Sequence, residues 1–271
     1  LYGKYTERDA SVFPDSVDAN DAWTIAQGGF RMDWEPEIGN SITLQGDVYQ
    51  NRGDLIAGGV GEVEGMNVLA RWVRQLSEGN TLQLQTYFDK TVLNNPAPAL
   101  IINGLLLAPE GEFSDDLATF DTELQFSGKW GSRQQFVVGG GYRRLQNTTT
   151  NAPALGFLPA TFNQNLYNIF LQDKITVTDA LTVTLGTKLE HNPFTSYVWE
   201  PNLRATYSVG EKSIIWAAWS RAVRTPSRID RQLSQGTPPS FVLLRGDSNF
   251  VSETLLAHEL GFKTEIKETI F

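Results

Sequence analysis

Polar and apolar residues alternate with period two along most of this chain, and the alternation predicts twelve β-strands. In the ninth of them, Leu185 and Leu189 lie on one face while Lys188 and Glu190 lie on the other. The predicted strands cover residues 2–9, 22–34, 41–51, 66–76, 81–92, 117–127, 134–146, 164–177, 181–191, 199–208, 214–224 and 255–266.

The connections between these strands alternate in length. Short turns are predicted at 35–40, 77–80, 128–133, 178–180, 209–213 and 267–269. Long loops are predicted at 10–20, 53–65, 93–116, 147–163, 192–198 and 225–254. Short turns at one end and long loops at the other are typical of a transmembrane β-barrel, and the long strands suit a tilted membrane crossing. The pattern therefore predicts an all-β fold, an antiparallel up-and-down transmembrane β-barrel.

The two faces of the strands give the expected orientation of the sheet. Leu124, Leu185, Leu203 and Phe262 are expected to point out of the barrel, and the lumen is expected to receive Glu123, Glu190, Arg204 and Lys263. We interpret the apolar faces of the third, fifth and tenth strands as free of Asp, Glu, Lys and Arg. The fourth and eleventh strands leave their register open. Eleven of the twelve prolines lie outside the predicted strands, and Pro201 is the exception.

Composition narrows the alternatives. A soluble β-protein explains the alternation equally well, but it explains neither the strand length nor the sorted loops. No apolar run approaches the roughly 18 residues of a membrane helix. The chain has 271 residues without cysteine, so disulfides and thiolate metal sites are excluded. Its net charge of -9 argues against nucleic acid as a partner.

The stretch 170–230 carries the clearest family resemblance. It contains FLQDKITVTDALTVTLGTKLEHN and WAAWSRAVRTPSRID, and SETLLAHELGFKTEI follows at 252–266. These phrases resemble the barrel of TonB-dependent outer-membrane receptors. An upstream stretch, GGFRMDWEPEIGNSITLQGDVYQ, resembles the family more loosely.

The resemblance implies a barrel of about 22 strands around a plugged lumen. It also implies active uptake of a scarce nutrient such as a ferric siderophore, haem or cobalamin across the bacterial outer membrane, driven by the TonB complex. The expected partners are membrane lipid, the plug, the TonB complex and a small-molecule chelate. Residues 1–271 are then a partial barrel domain without the plug, and Phe271, where a thirteenth strand begins at 270–271, is expected to be a truncation point.

Five charged residues are candidate contacts for the plug or ligand. Arg221, Arg224 and Arg228 surround Pro226 at the end of the eleventh strand. One or two of them are expected to face inward, where a guanidinium fork suits a carboxylate or an anionic chelate. The alternative is a set of solvated rim charges. Arg204 and Asp89, on the polar face, complete the set.

Other motifs give weaker predictions. The only two histidines, His191 and His258, have no Ser or Asp at triad spacing, so no catalytic, cofactor or metal site is expected. Gly139–Gly141 is expected to permit curvature or close approach of a plug. Asn103–Gly104, between apolar runs, predicts a hairpin that either touches ligand or packs within its own loop.

Three other functions remain open at this point. A passive porin shares the barrel but lacks the plug. A barrel enzyme, such as a protease or phospholipase, needs a catalytic set that the histidines do not provide. An adhesion barrel needs only the long loops.

Overall fold

The computed structural model describes residues 1–56 and 58–265 of the chain. The elements in chain order are β1 Tyr2–Arg8, β2 Trp23–Glu37, β3 Asn40–Asp54, β4 Val60–Ser77, β5 Asn80–Ala97, β6 Leu100–Ile102, β7 Leu105–Ala108, β8 Gly111–Trp130, β9 Gln134–Thr150, β10 Leu155–Phe157, β11 Thr161–Thr176, β12 Leu181–Asn192, β13 Ser196–Val209, β14 Ser213–Arg224, α1 Arg228–Gln232, β15 Leu233–Thr237, β16 Phe241–Arg245 and β17 Glu253–Thr264. The predicted link at 267–269, the end of the twelfth strand at Ile266 and the start of a thirteenth at 270–271 lie outside the described residues.

Twelve long strands form one antiparallel sheet in chain order. The order is β1-β2-β3-β4-β5-β8-β9-β11-β12-β13-β14-β17, with every pair antiparallel. This confirms the predicted meander of twelve strands. In the described part of the chain the sheet is open, because β1 and β17 each pair on one side only.

The short connections lie together at one end of the sheet, at 38–39, 78–79, 131–133, 177–180 and 210–212. Gly39 and Gly79 have φ of 82°, the left-handed backbone conformation that two-residue hairpin turns require. The other end carries connections at 9–22, 55–59, 98–110, 151–160, 193–195 and 225–252. Two loops that were predicted to be long, 53–65 and 192–198, are therefore short.

The strands are longer than the alternation predicts, mostly at the loop end. For example, the predicted strand 66–76 is Val60–Ser77, and 117–127 is Gly111–Trp130. Backbone pairing continues there through polar residues that carry no alternating signal. Two further prolines consequently lie inside strands. Pro36 lies at a bulge of β2, and Pro96 lies in β5 beyond Asn94, the last residue that pairs with β4. At both positions the regular ladder on one side is interrupted, so a residue without a backbone N–H is tolerated.

The apolar face of the sheet is its exposed face. In β4, Met66, Val68 and Ala70 are exposed while Asn67 and Leu69 are half-buried. The same alternation runs along β11 from residue 161 to 171. Side chains crowd together on the inside of a curved sheet, so the polar face is the concave one. The conventional core of the described residues is correspondingly small, and no large side chain there is fully buried.

The register confirms the predicted faces. Leu185 pairs with Leu203, and both lie on the exposed outward face with Leu124 and Phe262. The two open registers are also resolved, because Trp72 and Trp219 point outward while Trp216 points inward. One expectation about the faces is wrong, and it concerns Lys90.

Lys90 lies on the outward face of the fifth strand, which we interpreted as free of charge. It sits toward the loop end, where its ammonium group is 3.1 Å from the carboxylate of Asp116. The long side chain and the nearby carboxylate make a cation tolerable at that position.

The long loops at the loop end of the sheet contain structure that the sequence pattern did not predict. Helix α1 and the three-stranded sheet β10-β15-β16 form from the loops at 151–160 and 225–252. The predicted hairpin at Asn103–Gly104 is confirmed as β6–β7, with φ of 51° and 77° at its two turn residues. Within residues 1–56 and 58–265, no helix has the length and apolar character needed to cross a bilayer.

A row of aromatic rings crosses the outward face toward the loop end. It consists of Phe120, Tyr142, Tyr167, His191 and Tyr197, from five neighbouring strands. Successive ring centroids are 6.5, 5.2, 6.1 and 4.9 Å apart. We refer to these five residues as the aromatic row.

Candidate functional site

The concave face carries a mixed network of charges. The guanidinium of Arg143 lies 2.8 Å from the carboxylate of Asp121 on the neighbouring strand. The ammonium of Lys188 lies 2.6 Å from Glu190 and 4.0 Å from Glu200. Charges of both signs therefore line this wall, and they can pair with charged groups placed inside the barrel.

Asp89 lies on the concave face of β5 and is half-buried. Its carboxylate accepts a hydrogen bond of 3.4 Å from the hydroxyl of Thr91, which is itself 3.1 Å from the hydroxyl of Tyr49. Asp89 forms no salt bridge with another described residue, so its negative charge remains available to a cationic partner.

Arg204 lies on the concave face of β13, as predicted. Its guanidinium carbon is 5.6 Å from the ring centroid of Trp216 on β14. On the next strand, β17, Gly261 pairs with Trp216, and a Cβ on this glycine would come within 2.2 Å of the ring. The ring occupies the space that the glycine leaves, and a cation–π contact with this ring holds the guanidinium of Arg204 in place.

Arg224 also faces inward, at the loop end of β14. Its guanidinium is 3.0 Å from Asp230 and 3.1 Å from Glu253. Asp230 belongs to the first turn of α1, and Ser227 and Asp230 form a reciprocal capping box there. The backbone N–H of Ser227, then the guanidinium of Arg224, lower the pKa of the Asp230 carboxyl. Arg224 is thus already neutralised by two carboxylates.

Arg228 is buried among the loops. Its guanidinium donates to the backbone carbonyl of Pro159 at 2.6 Å and to the side chain of Asn147, and it lies 4.8 Å from the ring centroid of Phe157. Burial lowers the pKa of Arg228, an effect that the charge of Asp115 opposes. The contacts of this arginine hold three chain segments together at the loop end of the sheet.

Arg221 is the exception among the five candidates, because its register places it on the outward face, paired with Leu256. A local irregularity sets its contacts there. Pro201 on the neighbouring strand has no N–H, and the ladder between β13 and β14 stops at Asn202. Arg221 then donates to the backbone carbonyl of Trp199, and the carboxylate of Glu200 accepts the backbone N–H of Val223 at 3.0 Å.

The structure therefore brings Arg224 and Arg228 together around α1. It leaves Arg204 and Asp89 at separate places on the concave wall. Sequence reasoning missed Asp230 and Glu253, the partners of Arg224. The spacing Ser-x-x-Asp at residues 227–230 is a helix-start signal that would have indicated the first of them.

The remaining features concern metal ligands, the two histidines and Gly139. In the described ranges no three His, Asp or Glu side chains are grouped as metal ligands. His191 is 4.9 Å from the ring centroid of Tyr197, and His258 pairs with Trp219; both histidines point outward. Gly139 makes room for the ring of Phe170, which would lie 2.4 Å from an added Cβ.

Solved structures provide a comparison at the level of the fold. The siderophore receptor PirA from Acinetobacter baumannii aligns with a TM-score of 0.71 at 14% identity, over 91% of this chain and 41% of that one. The copper transporter OprC aligns with a TM-score of 0.73 at 12% identity, over 97% and 46%. BauA, the ferric preacinetobactin receptor from A. baumannii, aligns with a TM-score of 0.67 at 12% identity, over 97% and 47%.

The chain thus spans somewhat less than half the length of these three structures. A comparison with curated protein sequences gives no significant match. The family profile described as "TonB dependent receptor-like, beta-barrel" matches residues 5–269. That match covers almost the whole chain and agrees with the twelve-stranded antiparallel sheet. The chain belongs to the TonB-dependent receptor family and forms part of its β-barrel.

Proposed function

We propose that this chain is the wall of a plugged receptor that imports a scarce nutrient across the bacterial outer membrane, powered by the TonB complex. The observation that carries the proposal is the orientation of the sheet, with an exposed apolar face outside and a charged face inside. Membership of a family of transporters rather than enzymes supports it.

The surroundings of the sheet are proposed to be lipid. Exposed side chains such as Ile169 and Leu171 of β11, a strand paired on both sides, are at 63% and 49% of full exposure and are placed favourably only against an apolar medium. The aromatic row lies near one end of this apolar face, and aromatic rings collect where a membrane meets water. Because such barrels have short periplasmic turns and longer extracellular loops, the loop end is assigned to the cell exterior.

The inner surface is proposed to hold a plug domain from the remainder of the full-length protein. Arg204 is assigned to a carboxylate of the plug or to an anionic chelate, because its supported guanidinium has no carboxylate partner among the described residues. Asp89 is assigned to a cationic group of the plug. Arg224 and Arg228 are assigned to holding the outer loops, and Arg221 is no longer assigned to the lumen.

The favoured substrate class is a ferric siderophore. Of the three similar structures reported above, one is described as a siderophore receptor and one as a ferric preacinetobactin receptor. The third is described as a copper transporter, which makes copper the alternative cargo. Haem and cobalamin remain in the set to be tested.

Uptake by the full-length protein tests the proposal. The protein is expressed in a strain that lacks its own siderophore receptors, with and without a functional TonB complex. The cells are then supplied with radioactive ferric siderophores, haem, cobalamin or copper. Saturable uptake that disappears without TonB is the expected result. Entry of small solutes that is unaffected by loss of TonB would identify a passive porin instead.

Arg204→Gln tests the assigned inner contact in the same strain. We expect uptake to fall about tenfold while the receptor remains folded, since a charge-assisted hydrogen bond contributes about 1.5–3 kcal/mol. Arg31→Gln is the matched control, because Arg31 also lies on the concave face but is already paired with the carboxylate of Asp33 at 2.7 Å. Equal uptake in both variants would remove Arg204 from the contact surface.

A further inference from the structure

A groove of about 740 Å³ opens at the loop end of the outward face. Its walls are the turn between β12 and β13 together with the start of β13, the end of β14, Arg231 of α1, and the segment 248–254 that leads into β17. The hydroxyl of Ser252 donates to that of Thr195 at 3.1 Å and joins two of these walls. The groove is therefore built from four separate pieces of chain.

The groove contains positive charge without compensating negative charge. Arg221 and Arg231 line it, and none of its lining residues is Asp or Glu, although the whole chain has a net charge of -9. Neither guanidinium forms a salt bridge within the described residues, whereas those of Arg52, Arg143 and Arg224 do. A partly buried guanidinium without a counter-charge is unfavourable, so this pair of arginines fits an anionic ligand.

Both arginines are held in place by the backbone. Arg231 donates to the carbonyl of Phe194 at 2.6 Å and lies 5.1 Å from the centroid of its ring. Arg221 donates to the carbonyl of Trp199. Each of these bonds occupies one of the five N–H groups of a guanidinium, and the others remain for the oxygens of a phosphate.

The position of the groove indicates where the phosphate comes from. Tyr197 belongs both to the groove and to the aromatic row, and Tyr197 and Trp199 are 70% and 57% exposed on the outward side. In a membrane these rings lie at the level of the lipid headgroups. Hydroxyl groups at Thr195, Ser248 and Ser252 add donors and acceptors suited to a sugar.

We propose that this groove binds the phosphorylated sugar headgroup of a lipid from the outer leaflet. Arg221 and Arg231 bind the phosphate, and the rings of Tyr197 and Trp199 border the sugar. The inference rests on the membrane position given in the proposed function. It places a lipid site on the outer wall of the receptor, away from the lumen through which the nutrient would pass.

The test uses the full-length receptor, purified in detergent and analysed by native mass spectrometry after mixing with defined lipids. Diphosphoryl lipid A is the phosphorylated glycolipid, phosphatidylcholine is the zwitterionic control, and inorganic phosphate is the free anion. We expect selective retention of diphosphoryl lipid A, reduced at least tenfold in the double variant Arg221→Gln/Arg231→Gln. Arg133→Gln is the matched control, because Arg133 donates to the carbonyl of Val177 at the opposite end.

Two outcomes would overturn the proposal. One is equal retention of lipid A by the double variant and the parent. The other is displacement of lipid A by millimolar inorganic phosphate, which would identify a site for a free anion. If the double variant does not fold, Arg231→Gln alone is measured, since Arg231 lies outside the twelve long strands. Nutrient uptake is measured separately. Absence of uptake together with selective retention of lipid A would contradict the transport proposal alone.

Discussion

Arg228 of α1 donates a hydrogen bond of 2.6 Å to the backbone carbonyl of Pro159, a residue 69 positions earlier in the chain. The same guanidinium donates to Asn147 and to the side chain of Gln232, the latter at 2.7 Å. One side chain of α1 therefore joins the end of β9 to the loop that precedes β11. The three-stranded sheet β10-β15-β16 forms beside this junction.

Arg228→Lys should loosen these loops without unfolding the large sheet. Lysine keeps the charge but has no planar fork with which to reach three separate acceptors. Each lost charge-assisted bond contributes about 1.5–3 kcal/mol, so amide exchange in residues 155–162 should accelerate at least tenfold. Hydrogen-exchange mass spectrometry of the full-length receptor measures it. Arg245→Lys, at an exposed arginine of β16, is the control. Unchanged exchange at 155–162 in Arg228→Lys would contradict the role of the junction.

Leu185→Arg should impair assembly into a membrane. Leu185 is 47% exposed on the outward face, and arginine at such a position costs about 2–4 kcal/mol at mid-membrane. Folding of the full-length protein into vesicles, followed by heat-modifiable gel migration, measures the loss. Gln172→Arg is the control, because Gln172 is opposite Gly186 on the concave face. Similar losses for both variants would argue against a lipid-facing Leu185.

The capping box of α1 should weaken in acid. Because hydrogen bonds to Ser227 and Arg224 lower the pKa of Asp230, its stabilising effect is complete above the ordinary carboxyl value of about 3.9. As the pH falls below that value, the unfolded segment takes up a proton first, and the stabilisation is lost as pH passes through the folded pKa. Protection of amides 228–233, corrected for intrinsic exchange, should exceed that of Asp230→Asn at pH 6. A difference that does not decrease between pH 6 and pH 2 would contradict this assignment.

Gly261→Val should displace the ring of Trp216. The ring lies where the new side chain would be placed, and overpacking of this kind costs about 1–3 kcal/mol. The double variant Trp216→Ala/Gly261→Val should recover part of the loss, and a double-mutant cycle in urea measures the coupling. Gly3→Val is the control, since a Cβ at Gly3 has no neighbour nearer than 4.0 Å. Additive effects of Trp216→Ala and Gly261→Val would exclude the proposed contact.

The meander and its faces could be predicted from sequence because both follow from a period of two. Leu185 and Leu203 were assigned to the same face from alternation alone, and they pair directly. Lys90 shows the limit of the method. Its position on the outward face follows from simple counting, but whether a lysine is tolerated there depends on Asp116, which is distant in sequence.

The loops could be predicted only where a local signal exists. Asn103–Gly104 gave the β6–β7 hairpin because two consecutive positive φ values favour that pair of residues. The packing of Arg228 against Asn147 and Pro159 depends on contacts across more than 60 residues, which no local pattern encodes. The outward position of Arg221 depends on the register of β14, which alternation leaves open because both faces of that strand hold an aromatic residue and an arginine.

The large sheet follows the order of the chain, with each long strand bonded only to the strands before and after it. Such a wall is close to a one-dimensional array, whose stability is a sum of nearest-neighbour terms. A change in β3 is then felt in β2 and β4 and fades beyond them. Replacing a hairpin tip such as β6–β7 leaves every ladder below it intact. New specificity can therefore evolve at the loop end, one hairpin at a time, while the wall beneath it stays the same.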